Sequence, residues 1–174
     1  MNWQILGFIS DIVLAVTAII GVRISLATWH DNVKKTKRAL IKDLIQETLE
    51  DSEISEVFRN IDYNKHWYDE KFHDSPLERK VDKAFMRFSY FIDLLEDEYI
   101  DNKALDLIKY HLQRVLHNHD SQTYLFNLLN FTQKIEATFP YATLVKYGKE
   151  NGYLDETFFN PELGLKEYDK FLNW

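Results

Sequence analysis

The chain has 174 residues, 45% of them hydrophobic and 28% charged, which is enough for one compact domain and an anchor. Glycine (5) and proline (3) are scarce, so we predict an all-α fold rather than a turn-rich sheet. Cysteine is absent, which excludes disulfides, thiolate metal sites and cysteine nucleophiles. The net charge of −7 argues against direct nucleic-acid binding, which needs a basic surface.

The first predicted element is a helix from Ile5 to Leu26, apolar apart from two charged residues and a few small hydroxyl residues. At 1.5 Å per residue it is roughly 33 Å long, about the thickness of a bilayer core. Trp3 and Trp29 flank it, where amphipathic rings settle at the headgroup level. We therefore predict a single-pass protein with a transmembrane anchor at residues 1–30 and a cytoplasmic helical domain at residues 31–174.

The orientation of this helix follows from the basic residues beside it. Residues 1–4 have none, whereas a cluster follows the apolar run: Lys34, Lys35, Lys37, Arg38 and Lys42. Because basic residues stay on the cytoplasmic side, we predict the N-terminus outside and the domain inside. A cleaved signal peptide is disfavoured, since the chain lacks a basic first region and a small-residue cleavage site. The length of the run and its flanks disfavour a buried core helix.

The two faces of the predicted membrane helix differ. Small and polar residues fall within about a third of its circumference at 100° per residue. Such residues face other helices or water rather than lipid, and one span per chain means that those helices come from other copies. Two interpretations remain open: a homodimer interface, or a ring of helices around a pore in which acidic side chains favour cations. The predicted pore or helix–helix face consists of Gly7, Ser10, Asp11, Thr17 and Gly21.

The membrane helix is predicted to continue as a stalk to Leu49, because no helix breaker intervenes. Residues 50–75 show a looser pattern that we interpret as short helix and loop. Ser75 and Pro76 then predict a helix start, with the serine as N-cap and the proline in the first turn.

Two further helices are predicted from about Lys103 and from about Asp120. Their expected inward residues are Leu105, Ile108, Leu112 and Val115 in the first, and Leu125, Leu128, Leu129 and Phe131 in the second. A last helix, residues 161–174, is expected to dock through Leu165, Tyr168, Phe171 and Leu172.

Most catalytic motifs are missing. The six histidines form no H-E-x-x-H pattern, and neither a G-x-S-x-G elbow nor a glycine-rich phosphate loop occurs, so we predict no metal and no cofactor. One spacing remains: Arg114 and His119 fit the Arg-x(4)-His motif of small helical ribonucleases, in which histidine moves a 2′-hydroxyl proton and arginine stabilises the phosphate. A second candidate pair is Arg59 and His66. Alternatively, His117 and His119 cap the C-terminus of a helix, where a positive charge is favourable.

The span from Ile5 to Leu26, the helical domain and the motif Arg114 to His119 together resemble the small HEPN-like transmembrane accessory protein of type VI-B CRISPR systems. The resemblance implies a HEPN-like bundle and a homo-oligomer, an octamer, in the bacterial inner membrane. It further implies a pore that depolarises the cell when a partner RNA-guided ribonuclease detects phage RNA. Active HEPN nucleases usually have a polar residue after the arginine, and Val115 stands there in this chain.

Together with this resemblance, the polar face of the membrane helix leads us to expect an antiviral defence effector that forms a homo-oligomeric membrane pore and is not an enzyme. Its expected partners are copies of itself and the lipid bilayer, with a functional link to the CRISPR ribonuclease. Two alternatives remain. One is a membrane-tethered, metal-independent ribonuclease that uses Arg114 and His119, and the other is a passive membrane-anchored interaction protein.

Overall fold

A computed structural model describes the backbone of residues 3–63 and 65–168, and the side chains of residues 13–63, 65–160 and 162–165. The fold is 77% helix and the described residues contain no strand, which confirms the all-α prediction. The helices are α1 Trp3–Glu50, α2 Ser52–Asp62, α3 Pro76–Glu96, α4 Asn102–Leu105, α5 Lys109–His117, α6 His119–Lys134, α7 Ala142–Glu150 and α8 Pro161–Tyr168, with a 3-10 turn at Glu156–Phe159. The chain divides into two compact units, Met1–Lys42 and Asp43–Trp174.

The helix α1 runs without a break to Glu50, as the predicted stalk requires. Its large apolar side chains are 50–65% exposed between Val13 and Trp29. Its most apolar part has a mean hydropathy of 1.5, and none of that part is buried. By length and composition, α1 is the one helix within the described ranges that could cross a membrane.

The second unit is built around an aromatic core. Phe85 and Phe88 of α3 are fully buried, and Tyr124 of α6 is 2% exposed. The Tyr124 ring centroid lies 5.9 Å from that of Phe85. The predicted start of α3 is confirmed: Ser75 Oγ accepts a hydrogen bond from the Glu78 amide at 3.2 Å, and proline occupies the first turn. This cap fixes the position at which the core-forming face of α3 begins.

The loosely patterned stretch after Glu50 begins with a regular helix, α2, and continues as a loop that leads to α3. The α2 N-terminus is capped by Asp51, whose carboxylate accepts from the Glu53 and Ile54 amides. In the loop, Trp67, Tyr68 and Phe72 are buried, with exposures of 6%, 1% and 2%. Aromatic burial therefore fixes a segment that has no regular secondary structure.

The helix predicted from about Lys103 is in fact two helices. The first, α4, ends at Leu105, and α5 begins at Lys109. Ile108, in the turn between them, is fully buried. The apolar residues therefore continue to face the core although the helix is interrupted. The four residues expected to face inward here are all buried: Leu105, Ile108, Leu112 and Val115.

The next helix, α6, departs from the expected one-sided pattern. Its first half, residues 120–127, is buried on all sides, and this segment includes the polar residues Asp120, Gln122 and Asn127. Of the predicted inward residues only Leu125 is buried, whereas Leu128, Leu129 and Phe131 are half-buried.

The docking predicted for Leu165 is wrong, because this side chain is 49% exposed. Among residues 162–165 of α8, the buried position is Gly164, which lies so close to the Phe126 ring that a Cβ atom at residue 164 would overlap it. The side chains of Tyr168, Phe171 and Leu172 lie outside the described residues.

Candidate functional site

The Arg-x(4)-His spacing falls across a helix boundary. Arg114 lies in the last turn of α5, and His119 is the first residue of α6. Asn118 between the helices has an extended conformation, φ −70 and ψ 129, and its Oδ1 accepts from the Ser121 amide at 3.0 Å. The N-cap at Asn118 therefore starts a new helix between the two residues of the motif.

The Arg114 side chain is bound to the end of α2. Its Nε donates to Asp62 Oδ1 at 3.0 Å, and its terminal nitrogen donates to the Asp62 carbonyl at 3.4 Å. One turn earlier, the His111 ring stacks on Phe58 with centroids 4.3 Å apart. Burial holds the pKa of His111 below its ordinary value, and the Asp62 charge acts in the opposite direction. Arg114 and His111 thus connect α5 to α2.

His117 and His119 are exposed and line a cleft of about 470 Å³ beside the chain segment 152–157. The other lining residues are Gln122, Gly152, Tyr153, Leu154, Asp155 and Thr157. We call this the Tyr153 cleft. The pKa of Asp155 is lowered because the Thr157 side chain and amide both donate hydrogen bonds to its carboxylate. The interpretation that His117 ends a helix is confirmed, whereas His119 begins one.

The same two histidines line a second cleft, of about 240 Å³, which we call the Lys65 cleft. Its other lining residues are Lys65, His66, Asn118 and Asp120. Arg114 lines neither of the two clefts. The sequence motif therefore brings His119, but not Arg114, to these cavities.

A buried carboxylate organises the Lys65 cleft. Asp120 is 5% exposed, and its Oδ1 lies 2.8 Å from His66 Nδ1. Its Oδ2 accepts hydrogen bonds from the amides of Trp67, at 2.5 Å, and Tyr68, at 3.1 Å. Asp120 thus holds the loop after α2 against the start of α6. The sequence does not predict the pairing of His66 with Asp120, because residues more than fifty positions apart give no local signal.

The predicted pore face of α1 is described only in part. The side chains of Gly7, Ser10 and Asp11 lie outside the described residues. Thr17 is exposed, and its hydroxyl donates to the Val13 carbonyl at 2.8 Å. Gly21 is also exposed, and a Cβ atom placed on it would meet no other atom within 4 Å. The described part of this face is therefore open to another helix.

Among the described residues, no group of three or more His, Asp or Glu side chains could hold a metal ion.

Comparison with known proteins gives no match to a family model, to a curated protein or to a solved structure. The likeness to HEPN-like accessory proteins thus depends on the apolar span and on the spacing of Arg114 and His119.

Proposed function

We propose that this protein is a membrane-anchored defence effector that assembles with copies of itself through α1 and forms an ion-conducting pore. The observation that carries the proposal is the surface of α1. Eight Val, Leu and Ile side chains are exposed there between residues 13 and 26: Val13, Leu14, Val16, Ile19, Ile20, Val22, Ile24 and Leu26.

The environment that suits this surface is a bilayer. Burying one such side chain away from water contributes about 1.5–3 kcal/mol. A helix that is apolar on most of its circumference is stable inside a protein core or inside a membrane, and the second unit already has a core of its own. Membrane insertion of α1 removes all eight side chains from water at once.

The small residues on one side of α1 support self-assembly. Thr17 and Gly21 are four positions apart and therefore share a face. Small residues let helix backbones approach closely in lipid, and the open surface at Gly21 leaves room for such an approach. A hydrated lumen needs at least about four or five helices around it. The face predicted from the sequence also includes Asp11, whose carboxylate would give such a pore a preference for cations.

The proposal includes a location and partners. The basic residues after the span favour an N-terminus outside the bacterial inner membrane and a cytoplasmic domain. An octameric assembly and a functional link to an RNA-guided CRISPR ribonuclease follow from the resemblance alone.

The direct test combines the mass of the detergent-solubilised complex with ion flux through liposomes that contain the full-length protein. A double substitution of the proposed interface, Thr17→Leu with Gly21→Leu, should abolish assembly and flux, because large side chains separate the helices. The matched control is Val16→Leu with Ile20→Leu. It changes the preceding residues, which lie outside the small-residue face, and should retain both properties.

Three results would contradict the pore. One is a wild-type complex no larger than a dimer, since two helices cannot enclose a lumen. Another is a larger assembly that never conducts ions, with or without the partner nuclease. The third is an equal loss of flux in both double variants, which would show that the small-residue face has no specific role in assembly. A non-conducting dimer would instead favour the passive anchor.

We also propose that Arg114 has a structural role and that the chain does not cleave RNA. The support is the ion pair between Arg114 and Asp62 at 3.0 Å. The measurement is RNA cleavage in EDTA by the wild type and by His119→Ala. Cleavage by the wild type that is lost in the variant would establish the ribonuclease and overturn this part of the proposal.

A further inference from the structure

The Lys65 cleft brings one lysine and three histidines together on a chain whose net charge is −7. Lys65 carries a permanent positive charge, and the rings of His66, His117 and His119 can each donate or accept a hydrogen bond. All four side chains are exposed, so they are available to a dissolved ligand. Among the described residues, neither Lys65 nor His117 takes part in an ion pair.

The carboxylate in this cleft is already occupied by donors. Asp120 accepts from two backbone amides and lies 2.8 Å from His66 Nδ1, and it is buried. Because a carboxylate only accepts, His66 Nδ1 donates to Asp120, and Nε2 remains as an acceptor for the hydroxyl group of a singly protonated phosphate. Asp120 therefore orients His66 and repels an incoming anion less than an exposed carboxylate would.

The backbone that follows Lys65 and His66 is bound to the start of α6. The next two residues, Trp67 and Tyr68, are buried and bound through their amides to Asp120. On the other side of the cleft, the Asn118 cap fixes the positions of His117 and His119. A site whose groups are already in place loses less conformational entropy when a ligand binds. The positive end of the 16-residue helix α6 adds to the attraction for an anion.

The Tyr153 cleft shares His117 and His119 with the Lys65 cleft. Its volume of about 470 Å³ is within the usual range for small-molecule sites, roughly 300–1,000 Å³. Its lining includes the polar side chains of Asp155, Thr157 and Gln122, the last of which already donates to the Leu116 carbonyl at 2.8 Å, and the Tyr153 ring. The two histidines therefore stand between a basic cleft and a neutral to acidic one.

From this arrangement we infer a binding site for a small soluble phosphomonoester with a polar organic group, of the size of a nucleoside monophosphate. The phosphate is bound in the Lys65 cleft by Lys65, His66 and His117, and the organic group lies in the Tyr153 cleft. His119 contacts both parts. Arg114 takes no part in this site. The site is independent of the pore, because it lies entirely within the second unit.

The test is calorimetric titration of the full-length protein in detergent with adenosine monophosphate, inorganic phosphate and adenosine. Adenosine monophosphate should bind most tightly, because only this probe fills both clefts. Lys65→Met and His117→Asn should each weaken its binding at least about tenfold, the loss expected when one charge-assisted hydrogen bond is removed. Both side chains are exposed, so folding should be unaffected, and near-ultraviolet circular dichroism would verify this.

Matched controls are Lys71→Met and His30→Asn, which change an exposed lysine and an exposed histidine that line neither cleft. They should bind like the wild type. Absence of binding at millimolar adenosine monophosphate overturns the site. So does adenosine that binds as tightly as the monophosphate, or an equal loss in the control variants. Tight binding of single-stranded RNA, with no binding of the three small probes, would replace this site by a nucleic-acid surface.

Discussion

Residues 13–29 leave their large apolar side chains exposed, whereas the unit that begins at Asp43 buries its apolar and aromatic side chains in a core. Ile19 is 60% exposed and Phe85 is 0% exposed, although both are apolar residues in regular helices. The apolar content of a helix alone therefore does not predict whether its side chains are buried within the protein. Around α3 the apolar residues alternate with charged ones at helical spacing, which indicates water on one side, while α1 is apolar on most of its circumference.

The sharpest test of this contrast removes one side chain from each region. Phe85→Ala should lower the free energy of unfolding by about 3–5 kcal/mol, because it leaves a cavity in contact with Tyr124 and Tyr141. Ile19→Ala, the matched change in α1, should leave the unfolding of the second unit unchanged. Thermal unfolding of the detergent-solubilised protein, followed by near-ultraviolet circular dichroism, compares the two. Equal destabilisation would contradict the division into two units.

The second test concerns the carboxylate that organises the junction. Asp120→Ala leaves the buried amides of Trp67 and Tyr68 without their acceptor, which should cost about 2–4 kcal/mol for the two groups. The control is Asp69→Ala in the same loop, since Asp69 is exposed and accepts from the exposed Lys71 amide. That variant should change stability by less than about 0.5 kcal/mol. An Asp120→Ala protein as stable as the control would show that the loop is held by aromatic packing alone.

Two glycines offer a matched comparison of the same substitution in the two regions. Gly164→Ala should destabilise the second unit by about 1–3 kcal/mol, because its Cβ would overlap the Phe126 ring. Gly21→Ala adds a methyl group to open space and should favour the α1 helix by up to about 1 kcal/mol. In the proposed oligomer, however, it should weaken association, which analytical ultracentrifugation in detergent would measure. If Gly21→Ala leaves association unchanged, Gly21 does not lie at the helix–helix contact.

The smallest expected effect is a pH dependence between α2 and α5. The ordinary pKa of histidine is 6.5, and burial lowers that of His111 in the folded protein. The unfolded chain then binds the proton first, so this contribution to stability is fully present above pH 6.5 and is lost as the pH falls below that value. His111→Phe keeps an aromatic ring on Phe58 and should flatten the decline in melting temperature between pH 7 and pH 5.5. Parallel pH profiles for the wild type and the variant would contradict this role.

Local patterns in the sequence predicted much of the fold. The continuous α1, the Ser75 cap with its proline and the inward residues of α5 all depend on neighbours within one or two helical turns. The break between α4 and α5 could not be predicted, because the apolar spacing continues through it: Leu105, Ile108 and Leu112 are all buried although a turn separates the two helices. Leu165 was misassigned for the converse reason: its spacing fits a buried face, but Gly164 provides the close contact with Phe126.

Of the candidate site, the sequence predicts only the residues of the Arg-x(4)-His motif. His119 and Arg114 are close in sequence, but their partners lie at the end of α2 and just after it. Asp62 binds Arg114, and Lys65 and His66 line the same cleft as His119. Neither partnership leaves a periodic pattern, because each joins residues about fifty positions apart.

The sequence by itself determined the all-helical class and the apolar surface of α1, because helix propensity and hydrophobic periodicity are properties of nearby residues. Only the tertiary structure decided that Arg114 pairs with Asp62 and that Asp120 joins the loop after α2 to α6. It also decided that His117 and His119 lie between two clefts. These contacts depend on how the helices pack, and packing brings together residues that no local pattern relates.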